Sequence, residues 1–274
     1  MERVDEIKKF SKDLRKKILH TAFLAGSASA HIGGALSIAD LISVLFKYQI
    51  KNFNKKKNRD RFILSKGHAC LAYYCALNLI GSISDNELET FEKDNSNLAG
   101  HPVKNREIGI DFSNGSLGMG LSIGIGLSIA SIKKSEDYNV YVVLGDGECN
   151  EGSVWEAAMS APKFKLKNLY AIIDKNNFQQ TGSNKEIMDL GNLSEKWKSF
   201  GWEVSEIDGH DIFKIKNCFD NSSSFDKPKL ILANTIKGKG FSLTENNNEW
   251  HHAILTEKKY NEAIKEIEAK DGNK

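Results

Sequence analysis

The fold of this chain is decided by residues 140–182, VYVVLGDGECNEGSVWEAAMSAPKFKLKNLYAIIDKNNFQQTG. Val140–Leu144 and Leu169–Ile173 are apolar runs of the buried-strand type, and Ser153–Ala161 between them has a helical pattern. A strand, a helix and a strand in this order predict a βαβ unit with parallel strands and a right-handed crossover. A further run, Lys229–Thr235, repeats the strand pattern. We therefore predict an α/β fold, a parallel sheet flanked by helices.

Polar residues follow both strands of this unit directly. Gly145, Asp146 and Gly147 come after the first strand, and Asn176 comes shortly after the second. Ligands of open parallel sheets bind at the carboxyl ends of the strands, and neighbouring strands lie about 4.8 Å apart. If the two strands are neighbours, Asp146 and Asn176 can each give an oxygen to one cation. This arrangement suits an Mg²⁺ ion whose remaining ligands include oxygens of a diphosphate. Gly147 leaves room for a phosphate, and the helix from Ser153 offers free N–H groups nearby.

These segments, Gly145–Ala158 and Asp174–Gly182, resemble the thiamine-diphosphate-binding motif of transketolases. Seven further blocks agree with that family in order and spacing: AHIGGALSIADLISVLF (30–46), DRFILSKGHA (60–69), LAGHP (98–102), NGSLGMGLSIGIGLS (114–128), IDGHD (207–211), TIKGKG (235–240) and EWHH (249–252). The resemblance implies the diphosphate-domain fold, with residues 1–274 as a single thiamine diphosphate-binding domain. The chain stops where that domain ends in the family, which implies the N-terminal subunit of a split transketolase.

The resemblance also implies roles for individual residues. Mg²⁺, or another divalent cation such as Ca²⁺, is expected to bind Asp146, Asn176 and the carbonyl of Phe178. The residues implied to contact thiamine diphosphate are His68, Gly115, Ser116, Leu117, Asp146, Gly147, Glu148, Asn176 and His251. Those implied to act in the substrate channel or in catalysis are His31, His101, His251 and Glu151. Glu151 and Glu156 match acidic residues that link the two cofactor sites at the subunit interface in the family, although either could simply favour the positive end of a helix.

The activity implied is that of a transketolase, which moves a two-carbon ketol unit from a ketose phosphate to an aldose phosphate. The cofactor supplies the carbanion, and protein groups supply binding, orientation and proton transfer. In the family, the glutamate that tautomerises the aminopyrimidine lies in a following pyrimidine domain, with most of the sugar-phosphate contacts. We therefore expect this chain to be inactive alone, to need a C-terminal partner subunit, and to homodimerise within an α₂β₂ assembly.

The sequence departs from the family pattern at three places. AHIG at Ala30–Gly33 stands where the family usually has Gly-His-Pro-Gly, and NGSLGMG at Asn114–Gly120 replaces Thr-Gly-Pro-Leu-Gly-Gln-Gly. His252 follows His251 where a glycine is usual, and we assign His251 to the site. Because these departures concern the donor pocket, a catalytically retired partner subunit stays open as an alternative.

Two further alternatives concern the class of enzyme. A deoxyxylulose-phosphate synthase-like or 2-oxo-acid dehydrogenase-like subunit would share the Asp146 and Asn176 pattern, but the histidine set favours the sugar-handling branch. A nicotinamide-dependent dehydrogenase would need Gly118, Gly120 and Gly124 to act as a dinucleotide fingerprint. That spacing is one residue off the fingerprint, and no buried-type strand precedes it.

Composition excludes several other classes of protein. The chain has 274 residues, 40% hydrophobic and 27% charged, with a net charge of +2, which is typical of a soluble protein and too weakly basic to indicate nucleic-acid binding. Phe112–Ile132 carries no charge, but about half of it is Gly, Ser or Asn, so we expect no membrane span. The four cysteines do not have the spacing of a metal site. Because cysteines are few and the N-terminus has no signal-peptide pattern, we expect a cytoplasmic location.

The remaining segments are predicted from periodicity and turn residues. Helices are expected at Asp5–Leu24, at Ser37–Phe46, from Gly67, after a cap at Ser84 and after Glu257. Residues 25–35 are expected to form a loop. The basic run Lys51–Arg61 is expected to be a solvated loop, with a contact to a polyphosphate or an acidic partner as the alternative. Leu117–Ile129 has alternating apolar residues that fit either a strand or a closely packed helix, and the family resemblance implies the helix. His20 and His210 are expected to be structural, His210 as a helix cap.

Overall fold

The five strands of the fold follow one another between residues 61 and 234. A computed structural model describes residues 2–53, 55, 57–221 and 226–269. Within these ranges the strands are β1 (Arg61–Leu64), β2 (Val140–Gly145), β3 (Leu169–Lys175), β4 (Glu203–Asp208) and β5 (Lys229–Asn234). They form one parallel sheet in the order β1-β2-β3-β5-β4, which confirms the predicted α/β fold.

Helices connect and cover the strands. The α-helices are α1 (Glu2–Leu24), α2 (Ile32–Ser37), α3 (Ala39–Val44), α4 (Cys70–Leu79), α5 (Asp85–Leu88), α6 (Met119–Lys133), α7 (Gly152–Lys163), α8 (Asn184–Ile187), α9 (Leu193–Ser199), α10 (Ile212–Asp220) and α11 (Glu257–Ala269). Shorter helical turns occur at Gly26–Ala28, Leu45–Gln49, Gly67–Ala69, Gly147–Asn150 and Asn248–Trp250.

The sheet lies between two layers of helices, and successive side chains of a strand face different layers. Tyr141 and Val143 of β2 belong to one buried apolar cluster, and Val142 and Leu144 belong to the other. Helices α1, α3 and α4 complete the first cluster, and α6 and α7 complete the second. Because both faces of the sheet are covered, the central strand β2 is buried at every position, and β3 is apolar up to Ile173.

Helix α6 covers most of Leu117–Ile129, the segment whose alternating apolar residues fit either a strand or a closely packed helix. It is a helix, as the family resemblance implied, and the residues before it, 111–118, form a loop rather than a strand. A Cβ added at Gly124 would come within 2.6 Å of Val142 Cγ2, so the glycine lets α6 pack directly on the sheet. Among the described helices, none is both long and apolar enough to cross a membrane.

The helices predicted at the two ends of the chain are confirmed. Helix α1 starts three residues earlier than expected, at Glu2, and α11 starts at Glu257. Ala263 and Ile267 of α11 are buried in the cluster that contains α1. The last part of the predicted tail, residues 270–274, lies outside the described residues.

The loop predicted at residues 25–35 is wrong in its second half. The chain becomes helical at Ile32, and the helix expected from Ser37 is interrupted at Ile38. Every residue of Ile32–Ser37 is buried, so tertiary packing outweighs the low helix propensity of the two glycines there.

The solvated loop predicted at Lys51–Arg61 is wrong at its end. Arg59 is buried and its Nη2 lies 2.5 Å from Asp111 Oδ1. Two residues of this run, Asn54 and Lys56, lie outside the described residues. Arg59 of this basic run is therefore part of the protein interior and not of a solvated loop.

A buried polar network ties the first helix to the elements around the sheet. Arg15 Nη2 and Nη1 donate to Asp40 Oδ2 at 2.6 Å and Oδ1 at 2.9 Å, and Ser11 Oγ donates to Oδ1 at 2.5 Å. His210 Nδ1 lies 2.9 Å from Asp40 Oδ2, and its Nε2 accepts a hydrogen bond from Ile236 N–H at 2.8 Å. Because Nε2 accepts, Nδ1 carries the proton and donates to Asp40. The network joins α1, α3, the turn after β4 and the loop after β5.

The predicted role of His210 as a helix cap is therefore wrong. The cap of α10 is Asp211, whose carboxylate accepts a hydrogen bond from Lys214 N–H at 3.1 Å. His210 instead links Asp40 to the backbone of Ile236, so its structural role lies between elements rather than at a helix end.

Removing the charge of Asp40 is expected to destabilise the fold strongly. Asp40→Asn leaves the buried Arg15 guanidinium without its partner, and we expect the free energy of unfolding at pH 7 to fall by about 3–5 kcal/mol. Urea denaturation measures this. The matched control is Glu268→Gln, which breaks an exposed pair with Lys16 (2.7 Å) and is expected to leave the free energy of unfolding close to the wild-type value. Equal losses in the two variants would contradict the prediction.

The effect of Asp40→Asn on the free energy of unfolding is also expected to depend on pH. Burial by itself raises the pKa of Asp40, but Arg15, with hydrogen bonds from His210 and Ser11, brings it well below its usual value. A carboxyl with a depressed folded-state pKa stabilises the fold above its unfolded pKa, about 3.9, and loses that contribution as the pH falls further. The difference between wild type and Asp40→Asn should accordingly shrink below about pH 4.

Candidate active site

The carboxyl ends of β2 and β3 bring Asp146 and Asn176 together. The two strands are hydrogen-bonded neighbours, as the sequence-based prediction required. Asp146 Oδ2 accepts a hydrogen bond from Asn177 N–H at 2.5 Å, and Asn176 Oδ1 accepts one from Phe178 N–H at 3.0 Å. Both side-chain oxygens therefore face the same short turn, which also carries the carbonyl of Phe178.

Asp174 fixes the orientation of the Asn176 amide from beneath the site. This carboxylate is fully buried. Its donors are Ser37 Oγ at 2.7 Å, Asn176 Nδ2 at 2.8 Å, Lys66 Nζ at 2.5 Å and Thr235 Oγ1. Burial alone raises the pKa of Asp174, but Lys66 and the hydrogen bonds reverse the effect and lower it. Because Nδ2 of Asn176 points at Asp174, its Oδ1 is left to face the turn.

Glu148 holds two loops of the site together. Its carboxylate accepts hydrogen bonds from Gly118 N–H at 2.8 Å, from Gly145 N–H at 3.0 Å and from Ser65 Oγ. Both oxygens are engaged, so the residue clamps the loop before α6 against the turn after β2. Glu148 lines the cleft, as expected of a cofactor contact, but its own hydrogen bonds support a positioning role.

Four histidines gather on one side of the same cleft. The ring centroid of His31 lies 5.6 Å from that of His68, 5.7 Å from that of His101 and 5.3 Å from that of His251. The rings of His68 and His251 are also 5.3 Å apart. Of the pair at the end of the EWHH block, His251 lines the cleft, and His252 is exposed beside His31. Sequence segments more than 200 residues apart thus contribute to one cluster.

Burial keeps the four rings neutral near pH 7. It lowers the pKa of His31 to about 3, with His252 and His251 as the next causes. Burial also lowers the pKa of His251 to about 4, and it lowers the pKa of His68 and His101. A neutral imidazole has one N–H donor and one lone-pair acceptor. The cluster can therefore both donate to and accept from hydroxyl groups.

One cleft with a volume of about 400 Å³ contains both halves of the site. Asp146, Gly147 and Asn176 line it at the carboxyl ends of the strands, and the four histidines line the same cleft. A Cβ added at Gly147 would come within 2.7 Å of Gln179 Cγ, so only glycine fits here without displacing that side chain. The cleft has the size of a small-molecule site, and it lies at the carboxyl ends of parallel strands, where ligands of open sheets bind.

Lys237 is a cleft residue that the sequence motifs did not single out. Its Nζ donates to Gln179 O at 3.0 Å and to Asn248 Oδ1 at 2.5 Å, and it lies 3.2 Å from His251 Nδ1. Burial, followed by the charge of Lys66, lowers the pKa of Lys237 to about 8. The available signal was the TIKGKG block, in which Lys237 lies three residues after the end of β5.

The residues present fit a diphosphate with a divalent cation. Asp146 is 2% exposed, and no described lysine, arginine or histidine forms an ion pair with it. Burial and the nearby Asp174 raise the pKa of Asp146 to about 6, so a cation would stabilise its charged form. Two buried amide atoms of cleft residues, Gln179 Nε2 and Asn150 Oδ1, have no hydrogen-bond partner within the described part of the chain. They are free to bind a ligand.

The cation site differs from an all-protein metal centre. Over the described ranges, no three His, Cys, Asp or Glu side chains converge in a metal-binding group. The site offers one carboxylate, one amide oxygen and one backbone carbonyl instead. That set leaves positions for phosphate oxygens and water, as Mg²⁺ commonly requires.

The other predicted site residues lie at the edge of the cleft. Gly115, Leu117 and Glu151 line it, and Ser116 is exposed between the first two. Glu156 lies farther along α7 and is exposed. The structure thus brings the cofactor and catalytic candidates around one cleft, with Ser116 outside the lining.

Comparison with protein families and characterised relatives gives a consistent result. Residues 12–272 match the family model described as the thiamine diphosphate binding domain of transketolase. One subunit of the apulose-4-phosphate transketolase of Actinobacillus succinogenes is 40% identical over 254 residues, which cover 91% of each chain. The corresponding subunit of the enzyme from Phocaeicola vulgatus is 37% identical over 96% of this chain and 94% of its own. The 6-deoxy-6-sulfo-D-fructose transketolase subunit SqwG of Clostridium is 38% identical over 87% of this chain and 88% of its own.

Solved structures give the same fold. The transketolase from Leishmania mexicana superposes with a TM-score of 0.89 at 28% identity, covering 97% of this chain and 41% of that one. The transketolase from Campylobacter jejuni superposes with a TM-score of 0.87 at 29% identity, covering 98% of this chain and 43% of that one. This chain therefore spans about two fifths of the length of these solved enzymes.

Proposed function

Because this chain belongs to the transketolase family and corresponds to the thiamine diphosphate-binding domain of that family, we propose that it is one subunit of a two-part transketolase. The assembled enzyme transfers a two-carbon ketol unit from a ketose phosphate to an aldose phosphate. One observation carries the proposal: a single cleft is lined by both the Asp146–Asn176 pair and four neutral histidines. The histidines suit a hydroxylated substrate better than a 2-oxo acid.

The sheet end of the cleft binds the diphosphate end of the cofactor. Asp146, Asn176 and the carbonyl of Phe178 hold Mg²⁺ or a similar cation, and Gly147 leaves room for the phosphates. Lys237 supplies a buried cationic group in the same cleft. When bound, thiamine diphosphate supplies the carbanion that breaks the carbon–carbon bond of the ketose.

The histidine end binds and orients the sugar. His31, His101 and His251 donate hydrogen bonds to substrate hydroxyls and accept hydrogen bonds from them. Since their pKa values are lowered, each ring is neutral, with one N–H to donate to a hydroxyl or to charge that develops on its oxygen and one lone pair to accept from a hydroxyl. His68 lies between this group and Lys66, nearer the diphosphate end.

The proposed partner is a pyrimidine-domain subunit, and the assembly is α₂β₂. The names of three relatives of similar length describe each of them as a subunit, which supports a second kind of chain in the enzyme. Exposed apolar side chains on α6 and α7, among them Met119 and Met159, with Phe164 just after α7, give this chain a surface for such contacts. Glu151 and Glu156 lie nearby, at the start and in the middle of α7.

The proposed substrates are sugar phosphates or closely related anionic sugars. Apulose 4-phosphate and 6-deoxy-6-sulfo-D-fructose, which appear in the names of relatives, are the first donors to assay. A cytoplasmic location belongs to the same proposal, and the four free cysteines of the structure are consistent with a reducing compartment.

Thermal unfolding with ligands tests the cofactor part of the proposal. Thiamine diphosphate and Mg²⁺ together are expected to raise the unfolding midpoint of the chain, because a ligand that binds only the folded state stabilises it by RT ln(1 + [L]/Kd). Each ligand alone is expected to give a smaller shift or none. The same measurement with the partner subunit present distinguishes a site that forms only on assembly from a chain that binds no cofactor, and the second result would contradict the proposal.

A further inference from the structure

His252 adds a fifth imidazole beside the four that line the cleft. Its ring centroid lies 4.4 Å from that of His31, nearer than the rings of His68, His101 or His251. The ring is exposed, whereas His31 is partly buried. His252 therefore lies on the solvent side of His31.

The backbone holds these two rings together. Ala30 N–H donates to Ala253 O at 3.1 Å, and Ala253 N–H donates to Ala30 O at 3.0 Å. This antiparallel bridge joins the residue before His31 to the residue after His252. The bridge keeps the backbones of His31 and His252 side by side, so the closeness of the two side chains follows from the fold.

Ser29 supports His252 from a strained conformation. Its φ of 60° and ψ of 178° lie in a region that essentially only glycine adopts. Ser29 Oγ lies 3.1 Å from the ring nitrogens of His252 and donates to Ala28 O at 2.6 Å. Strained backbone of this kind persists where the surroundings enforce it, and it concentrates at binding and catalytic sites.

We propose that His252 is a specificity-determining residue of the substrate channel. Its ring, held by Ser29 against His31, forms the outer wall of the channel and hydrogen-bonds a sugar hydroxyl at the end remote from the diphosphate. The glycine usual at this position offers neither a wall nor a hydrogen bond. This inference rests on the proposed ketol transfer, and it names a residue that selects among hydroxylated substrates.

Steady-state kinetics of the assembled enzyme test the proposal. The enzyme contains this chain, its partner subunit, saturating thiamine diphosphate and Mg²⁺, and the donor that the wild type uses. His252→Gly is expected to raise KM for the donor about 10-fold and to leave kcat within about two-fold, since a ground-state contact is lost. His252→Asn keeps a donor and an acceptor and is expected to raise KM less. The control is His20→Asn, an exposed histidine beside Tyr260, which is expected to change neither constant.

A second variant separates a substrate contact from a structural one. Ser29→Gly relieves the backbone strain, so the thermal midpoint of the chain is expected to rise by about 2–4 °C. The same variant removes the support of His252 and is expected to raise KM for the donor. A purely structural role of Ser29 and His252 predicts that KM stays at the wild-type value in both variants.

The outcomes distinguish this inference from the function on which it rests. If the assembled wild type transfers ketol units and His252→Gly has an unchanged KM, this inference fails and the proposed function stands. An equal change in the Kd of thiamine diphosphate would also overturn it, because the residue would then act on the cofactor site. If the assembled wild type transfers nothing with any donor, the proposed function fails and this inference fails with it.

Discussion

Replacing Asp146 by alanine is expected to abolish the Mg²⁺-dependent retention of thiamine diphosphate by the assembled enzyme. Asp146 is the buried carboxylate of the site that lacks a cationic partner among the described residues, and its Oδ2 faces the turn carrying Phe178. Even the loss of a residue that only supports a metal ligand typically costs 10–100-fold in affinity, so loss of the ligand should exceed about 100-fold. Cofactor retained after gel filtration, with and without a chelator, measures this.

Asp146→Asn, which keeps the shape of the side chain and removes its charge, is expected to change the stability of the ligand-free chain in the opposite direction to its loss of cofactor binding. Because burial raises the pKa of Asp146 to about 6, the folded state binds the proton more tightly than the unfolded chain. The ionised carboxylate therefore lowers the stability of the ligand-free fold as the pH rises through this value. Asp146→Asn is expected to raise the midpoint of the ligand-free chain at pH 7 and to lose the shift caused by cofactor and Mg²⁺ together.

The control for both variants is an aspartate outside the site. Asp94→Ala changes an exposed residue and is expected to leave both the ligand-free midpoint and the ligand-dependent shift at wild-type values. Unchanged cofactor affinity in Asp146→Ala would overturn the assignment of this residue to the cation. An equal loss in Asp94→Ala would show that the assay does not report on the site.

The convergence of Asp146 and Asn176 could be predicted because it depends on a local rule. Two apolar runs joined by a helix make adjacent parallel strands, and whatever follows those strands meets at one edge of the sheet. The residues after β2 and β3 obey this rule, and their strands pair in register. The cofactor end of the site is thus specified by about forty consecutive residues, 140–182.

The parts that could not be predicted depend on contacts between distant segments. Lys237 lies in the cleft because a distant segment holds its loop in place: Gly238 N–H donates a hydrogen bond to Gly33 O of α2 at 3.0 Å. Strand β4, Glu203–Asp208, is an edge strand whose two apolar residues, Val204 and Ile207, are three positions apart, so it shows neither an apolar run nor the alternation typical of a strand. Ser29 shows no sign of its strained backbone in the sequence, because only the surrounding fold imposes it.

This chain without a partner is expected to transfer no ketol units, even with cofactor and Mg²⁺ bound. The reaction needs a carboxylate that faces the aminopyrimidine of the cofactor, and three carboxylates line the cleft among the described residues. Asp146 faces the cation site, and Glu148 is fully engaged by Ser65, Gly118 and Gly145. Glu151 is exposed at the rim, on the face that we assign to the subunit interface.

A mixing experiment measures this expectation. Transfer from a ketose phosphate to an aldose phosphate is assayed in three samples, each at saturating cofactor and Mg²⁺: this chain, a pyrimidine-domain subunit, or the two together. We expect activity in the mixture only, because the family resemblance implies that the activating carboxylate and most of the sugar-phosphate contacts lie in the second subunit. Transfer by this chain alone, in a preparation that mass spectrometry shows to be free of any partner, would contradict the two-part enzyme. A mixture that retains cofactor but transfers nothing with any donor would instead indicate a subunit that has kept the diphosphate site and lost the reaction.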